Sequence, residues 1–167
     1  GYLDAIEFAR EGQVPYFGCD LGMDLAVVEF ARRVLTLATA HSTEHDPALR
    51  DAVIIELSPP ELIKGKPIDI FGDQLVRFTK DSRLRDWMKA DTGREEHRDR
   101  YGVNTKFKNQ LVRAGLKIAA TDETQLVVRA LELTGHPFFV LTSFLPQLRP
   151  EKSGPHPVLQ EFLRAIG

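Results

Sequence analysis

The sequence predicts an α/β domain in which helices cover both faces of a three-layer, mostly parallel sheet. Near the start of the chain, a helical pattern, a short apolar run and a second helical pattern follow one another with short connections. Such helix–strand–helix units are typical of parallel sheets. Further short apolar runs provide more strands, and the chain ends on an amphipathic helix.

The first helix is predicted to end at Gly12, because the apolar residues before it recur at helical spacing. The apolar run VPYFGC at 14–19 is predicted as a strand. A second helix is predicted over 22–37, where leucine, valine and alanine fall on one face. The run AVIIEL at 52–57 is the next predicted strand, and prolines from Pro59 onwards end it.

The middle section, 58–100, is charged and irregular. Within it, QLVRF at 74–78 is predicted as a strand and SRLRDWMKA at 82–90 as a helix. The charged strip GREEHRDR at 93–100 is predicted to be solvated surface.

The last part of the chain alternates helix and strand patterns again. Residues 104–116 are predicted as a helix with Asn104 as its N-cap. Two strands are predicted at 117–121 and 125–133, and a buried strand leads into a loop within 136–147. The final helix is predicted within 155–166, because its apolar residues form one stripe.

Composition limits the classes of function. With 167 residues and 43% hydrophobic residues, a single domain over 1–167 is expected. The 22 basic and 24 acidic residues give a net charge of −2, so nucleic acid is not an expected partner. A lone cysteine without zinc-ligand spacing is typical of a reducing cytoplasm. No apolar run approaches the roughly 20 residues of a membrane span, so no membrane partner is expected.

One motif indicates chemistry. The stretch PYFGCDLGMD contains Gly18-Cys19-Asp20-Leu21-Gly22, the Gly-x-nucleophile-x-Gly pattern of a sharp strand-to-helix turn. Its middle residue is Asp20, and the only cysteine precedes it. Because neighbouring side chains on a strand point to opposite sides, Cys19 is expected to face the core as a small buried hydrophobe.

Three segments resemble the class I glutamine amidotransferase domain of CTP synthase. Residues 5–47, from AIEFAREGQVPYFGCDLGMD to AHSTEHDP, are similar to the family's nucleophile region, AIxYARExxIPYLGICLGMQ to ANSTEFDP. REEHRDRYGVN at 94–104 is similar to ERHRHRYEVN, and residues 136–165, beginning HPFFVLTSFLPQ, are similar to HPFFVGVQFHPE. The resemblance implies an amidotransferase-like, flavodoxin-like fold that hydrolyses glutamine and passes ammonia to a synthetase domain.

Two parts of the family have no counterpart in the sequence. Neither the ATP- and UTP-binding synthetase domain nor the first strands with the oxyanion loop can be matched. We therefore expect that this chain does not make CTP alone.

The resemblance also indicates that the catalytic triad is replaced. Asp20, Leu145 and Gln147 stand at the family's cysteine, histidine and glutamate positions. A carboxylate attacks amides far less readily than a thiolate, and leucine cannot accept a proton. We therefore expect no glutamine hydrolysis by the family mechanism, and the chain is interpreted as a pseudoenzyme or as a ligand-binding or regulatory protein related to pyrimidine metabolism.

Part of the family's amino-acid pocket is retained. The positions that hold the amino-acid end of glutamine correspond to Asp24, Glu44 and Arg100. With Asp20, these residues form the predicted binding site for an amino-acid-like or amine small molecule. The alternative is that Glu44 and Arg100 form a structural ion pair.

A second interpretation keeps an enzyme of altered chemistry. Aspartate nucleophiles on such turns form esters and then need a histidine to activate water, so a hydrolase using Asp20, or Cys19, stays open. The possible protein partner is a synthetase domain or a CTP synthase. No cofactor or metal is expected.

Overall fold

The computed structural model describes residues 1–57, 71–98, 100–149 and 154–167. Five α-helices lie within these ranges: α1 (Tyr2–Glu11), α2 (Leu21–Arg33), α3 (Arg83–Met88), α4 (Thr105–Arg113) and α5 (Pro157–Ile166). The strands are β1 (Tyr16–Cys19), β2 (His41–Ser42), β3 (Ala52–Glu56), β4 (Gly72–Phe78), β5 (Thr92–His97), β6 (Tyr101–Val103), β7 (Leu116–Asp122), β8 (Val128–Leu133) and β9 (Phe139–Thr142).

Most of the predicted helices and strands are present, because short sequence motifs and hydrophobic spacing determine where they begin and end. Glycine ends α1 as predicted, with the backbone N–H of Gly12 bonded to the Phe8 carbonyl. Asn104 caps α4 by accepting a hydrogen bond from the backbone N–H of Lys106 at 3.0 Å. The prolines predicted to end β3 lie outside the described residues. The second helix ends at Arg33, four residues earlier than predicted.

The α/β class with helices on both faces is confirmed. One buried cluster joins α1, α2 and α4 to one face of the larger sheet, with Phe30, Phe107 and Phe139 among its members. A second cluster joins α3 and α5 to the opposite face through Leu84 and Val158. The sheet therefore forms the middle of three layers.

The sheet is mixed, whereas a mostly parallel one was predicted. The larger sheet has the order β1-β9-β8-β7-β4-β5, in which β1 and β9 pair in parallel and the other described neighbours pair antiparallel. Short connections explain this difference. Residues 123–127 join β7 to β8, and 134–138 join β8 to β9. Parallel neighbours need a crossover of a dozen or more residues.

A smaller sheet has the order β2-β3-β6, with β2 parallel and β6 antiparallel to β3. The sequence patterns did not predict β2, β5 or β6, because these strands are short or charged. Of the described residues, no helix is long and apolar enough to cross a membrane.

Candidate functional site

The strand-to-helix turn predicted from the sequence is present. β1 ends at Cys19, and α2 begins at Leu21. Between them, Asp20 has φ 55° and ψ −121°, a backbone conformation that favours glycine. The Asp20 N–H donates to the Thr142 carbonyl of β9 at 2.8 Å, and its own carbonyl accepts from Met23 N–H at 2.9 Å. The chain thus retains a strained elbow without a cysteine at its apex.

Asp20 occupies the N-cap position of α2, but its carboxylate makes no capping hydrogen bond to the helix. Aspartate is a favoured N-cap because its carboxylate usually accepts from the N–H groups of the first turn. The side chain is half-buried. Helix capping therefore does not explain this aspartate.

The strained backbone gives a stability prediction. We expect Asp20→Gly to raise the free energy of unfolding by about 1 kcal/mol, because glycine adopts positive φ without steric cost. Urea unfolding of both proteins measures the difference. Gln125→Gly is a control at another positive φ, 63°, outside the elbow. If Asp20→Gly lowered the free energy of unfolding and Gln125→Gly did not, the prediction would be wrong and the aspartate side chain would stabilise the turn.

Cys19 differs from its prediction as a buried core residue. The residue is half-buried, and its Sγ lies 4.0 Å from Oε1 of Gln147. The sulfur therefore faces the segment after β9, on the same side of β1 as Phe17 two residues earlier. Burial, followed by the nearby charge of Asp20, raises the pKa of the Cys19 thiol, while the contact with Gln147 opposes this.

This pKa predicts an unreactive thiol. We expect iodoacetamide to alkylate Cys19 more slowly at pH 7 than it alkylates free cysteine, because less of the thiol is ionised. The alkylation rate should keep rising as the pH passes the ordinary pKa of cysteine. Mass spectrometry of the alkylated chain can follow the rate. The urea-unfolded chain is the control. Faster alkylation in the folded state would indicate an activated thiolate.

Leu145 and Gln147 lie on the segment that follows β9. Leu145 is buried, and its N–H donates to the Glu96 carbonyl at 2.9 Å. A 3-10 helix, Pro146–Leu148, then exposes Gln147 beside Cys19. The segment thus passes beside Cys19, with an apolar side chain at Leu145 and an amide at Gln147.

Two predicted ligand residues share a cavity. Asp24 on α2 and Glu44 after β2 line a cavity of about 280 Å³. His41 and His45 line it too, and their rings stack with centroids 4.4 Å apart. The rest of the lining is Leu21, Leu25, Val28 and Ser42. The cavity therefore combines two carboxylates, two imidazoles and an apolar wall.

His41 is held as a neutral ring. Its Nδ1 accepts a hydrogen bond from the Ser42 N–H at 2.8 Å. Burial, then the charges of His45 and Arg32, lowers the pKa of His41. The lowered pKa favours the neutral form of His41, so Asp24 and Glu44 are the acidic side chains of the cavity lining.

Arg100 and Asp20 do not line this cavity. The Arg100 guanidinium lies 3.6 Å from the Glu56 carboxylate, and both side chains are more than half exposed. The predicted pair of Arg100 with Glu44 is therefore replaced by a pair with Glu56. Asp20 lies one turn before Asp24 on the chain, outside the lining residues.

Sequence patterns missed two groups of polar residues. His41 and His45 could have been noticed as a pair four residues apart beside Glu44. The strip 93–100 was predicted as surface, but Glu95 and His97 are buried. They lie two apart on β5, so both point to the covered face of the sheet. Among the described residues, no group of three or more histidine, cysteine, aspartate or glutamate side chains is placed to hold a metal ion.

Comparison with known proteins gives consistent relatives. The chain is 35% identical over 170 residues to a CTP synthase of Clostridium acetobutylicum and 39% identical over 167 residues to one of Caldivirga maquilingensis. These matches cover 98% and 99% of this chain but only 31% of each relative. The chain thus spans about a third of the length of the curated relatives it matches. No family model matches.

Solved structures agree with the sequence comparison. The glutaminase domain of Trypanosoma brucei CTPS with bound acivicin matches 99% of this chain and 64% of that chain, at 29% identity and a TM-score of 0.87. A glutamine amidotransferase of Thermotoga maritima matches 98% of this chain and 61% of that chain, at 12% identity and a TM-score of 0.55. The second likeness shows the fold alone.

Proposed function

From the homology of this chain to the class I glutamine amidotransferase domain of CTP synthase, we propose that it is a non-hydrolysing member that binds a small molecule. The observation that carries this proposal is the set of side chains at the elbow. A strained turn presents a carboxylate at Asp20, and the segment after β9 offers buried Leu145 and exposed Gln147. Asp20 is a weak nucleophile towards an amide, and neither Leu145 nor Gln147 can accept a proton as a base at neutral pH.

The positions of the histidines support the same proposal. His97 is bonded to the Glu95 backbone carbonyl, His136 to that of Ala9, and His156 to the Glu95 carboxylate. The two remaining histidines, His41 and His45, stack on each other at the cavity beside α2. Three of the five histidines thus hydrogen-bond to groups other than Cys19 and Asp20, and the other two line the cavity of Asp24 and Glu44.

The ligand we propose is an amine or an amino-acid-like molecule. An ammonium group would bind between the Asp24 and Glu44 carboxylates, which form charge-assisted hydrogen bonds with such a group. The ring faces of His41 and His45 and the apolar wall would contact its carbon chain. A cavity of about 280 Å³ suits a molecule of amino-acid size.

Two measurements test the proposal. The purified chain should release no glutamate from glutamine, and Cys19→Ser should leave that result unchanged. A thermal-shift screen of amino acids and amines, with acivicin included because the T. brucei domain binds it, should find a ligand that raises the melting temperature. Glutaminase activity that disappears in Cys19→Ser would overturn the non-hydrolysing assignment.

Matched variants locate the ligand. Glu44→Gln and Asp24→Asn should each weaken binding of the amine, since each removes a charged partner while keeping the shape of the side chain. Glu56→Gln is the control, because Glu56 carries similar charge outside the cavity. Equal weakening by all three variants would indicate general electrostatic attraction in place of a site.

A second candidate is a hydrolase of altered chemistry at Asp20. The observation favouring it is that the strained aspartate does not cap its own helix. An ester formed on Asp20 would be detected as a mass increase when water attack is slow, and Asp20→Asn should abolish it.

The partner we propose is a synthetase domain or a CTP synthase, and co-purification with either tests this.

A further inference from the structure

A buried cluster of polar groups lies among residues that do not line the cavity of Asp24 and Glu44, here called the amine cavity. Arg129 on β8 has an exposed fraction of 2%, and His97 on β5 one of 1%. Ser143 directly follows β9, and its N–H donates to the Arg129 carbonyl at 2.8 Å. The cluster therefore adjoins the segment that carries Leu145.

Arg129 is a buried cation with incomplete partners. Its Nη2 donates to Oε1 of Gln74 at 3.0 Å, and among the described residues its Nε has no hydrogen-bond partner. Asp122 is the acid that acts on it electrostatically, but that carboxylate already accepts from the Val127 N–H and the Thr124 hydroxyl. A buried guanidinium without an adjacent anion is strongly unfavourable.

His97 and Ser143 add two further polar atoms. The His97 Nδ1 donates to the Glu95 carbonyl at 2.9 Å, so its Nε2 has a lone pair, and this atom has no partner in the described part of the chain. The Ser143 hydroxyl is buried and equally unpaired within those ranges. Burial, followed by the charge of Arg129, lowers the pKa of His97 to about 4.

We propose that Arg129, His97 and Ser143 bind one small monovalent anion, of the size of formate, that enters together with one proton. The anion would accept hydrogen bonds from the Arg129 Nε and the Ser143 hydroxyl and give the buried guanidinium an adjacent acid, and because a proton enters with it, the net charge of the cluster does not change. The proton, taken from solvent, would sit on His97 Nε2 and donate to the anion. No covalent bond of the anion breaks, and binding adds one anion and one proton to the site.

The surroundings of His97 set the expected pH dependence. Arg129 faces it from β8 and opposes its protonation, whereas Asp73 on β4 favours protonation. On its own strand, the Glu95 carboxylate accepts from His156 at the start of α5. A bound anion would outweigh the effect of Arg129. Above the pKa of the empty site, affinity for formate should fall by up to about tenfold per pH unit, because each binding event needs a proton.

The test uses the whole chain in sodium formate and in sodium gluconate at equal ionic strength, because gluconate is also a monovalent carboxylate but is much larger than formate. Formate should raise the melting temperature by a few degrees at pH 5.5 and by less at pH 8. Arg129→Gln should lose the difference between the two salts, and Arg113→Gln, at an exposed arginine, should keep it. A difference that persists in Arg129→Gln would overturn the proposal.

A second measurement needs no variant. In the wild-type chain, NMR titration of the His97 ring should show a pKa at least about one unit higher in formate than in gluconate, a tenfold change in proton affinity. An unchanged His97 pKa would overturn proton-coupled binding. Failure of this test would leave the amine cavity unaffected, since that cavity involves none of these residues.

Discussion

Replacing Glu29 with glutamine is expected to lower the free energy of unfolding by about 3 kcal/mol. Glu29 on α2 has an exposed side-chain fraction of 0%, and it accepts hydrogen bonds from Nε and Nη2 of Arg10 on α1, at 3.1 and 2.8 Å. Glu29→Gln preserves the shape but leaves the Arg10 charge without its acid. Removing one partner of a buried pair costs about 3–5 kcal/mol, because the other charge remains out of water.

The chain offers a matched control on the same guanidinium. Glu11 also contacts Arg10, at 3.2 Å, but its side chain is 63% exposed. Glu11→Gln should cost less than about 1 kcal/mol, because water screens exposed pairs. Urea unfolding of both variants measures the difference. Equal losses would contradict the assignment of Arg10–Glu29 as the stabilising pair between α1 and α2.

Gly18→Ala is expected to disrupt the elbow and cost about 2 kcal/mol. A Cβ at Gly18 would lie 2.7 Å from the Gly22 carbonyl oxygen and 2.9 Å from the Tyr16 ring. The oxygen belongs to the first turn of α2 and accepts from the Tyr16 hydroxyl at 3.1 Å, so it cannot move without opening the turn. Forcing an extra carbon into a packed site typically costs about 1–3 kcal/mol.

Gly22→Ala is the control for this prediction. A Cβ there would meet its nearest atom, the Tyr16 hydroxyl, at 3.8 Å, which is ordinary contact. Because alanine favours helices over glycine, the variant should be neutral or more stable by up to about 1 kcal/mol. The two glycines of the motif thus have different roles. A Gly22→Ala loss as large as that of Gly18→Ala would contradict this difference.

Sequence reasoning succeeded where a feature depends on neighbouring residues. The turn at Asp20, the cap at Asn104 and the helix end at Gly12 follow from short motifs, and the structure has each of them. It failed for β5, because its charges concealed two inward-facing residues. Glu95 and His97 are buried because other strands and α5 cover that face.

The candidate site divides in the same way. The sequence by itself determined the residue types Asp20, Leu145 and Gln147, and from their match to the family's motifs we propose that they stand at the triad positions. It also determined the order of helices and strands through hydrophobic periodicity. Both are local properties of the chain.

Only the tertiary structure decided which groups meet. It placed Asp24 and Glu44 beside stacked imidazoles, turned Cys19 towards Gln147, and gave Arg100 a different acid. It also made the sheet mixed and buried Arg129 near His97. These outcomes depend on packing between residues that are far apart in sequence. The free energy of burial and pairing is then shared among many contacts, which a local sequence pattern does not predict.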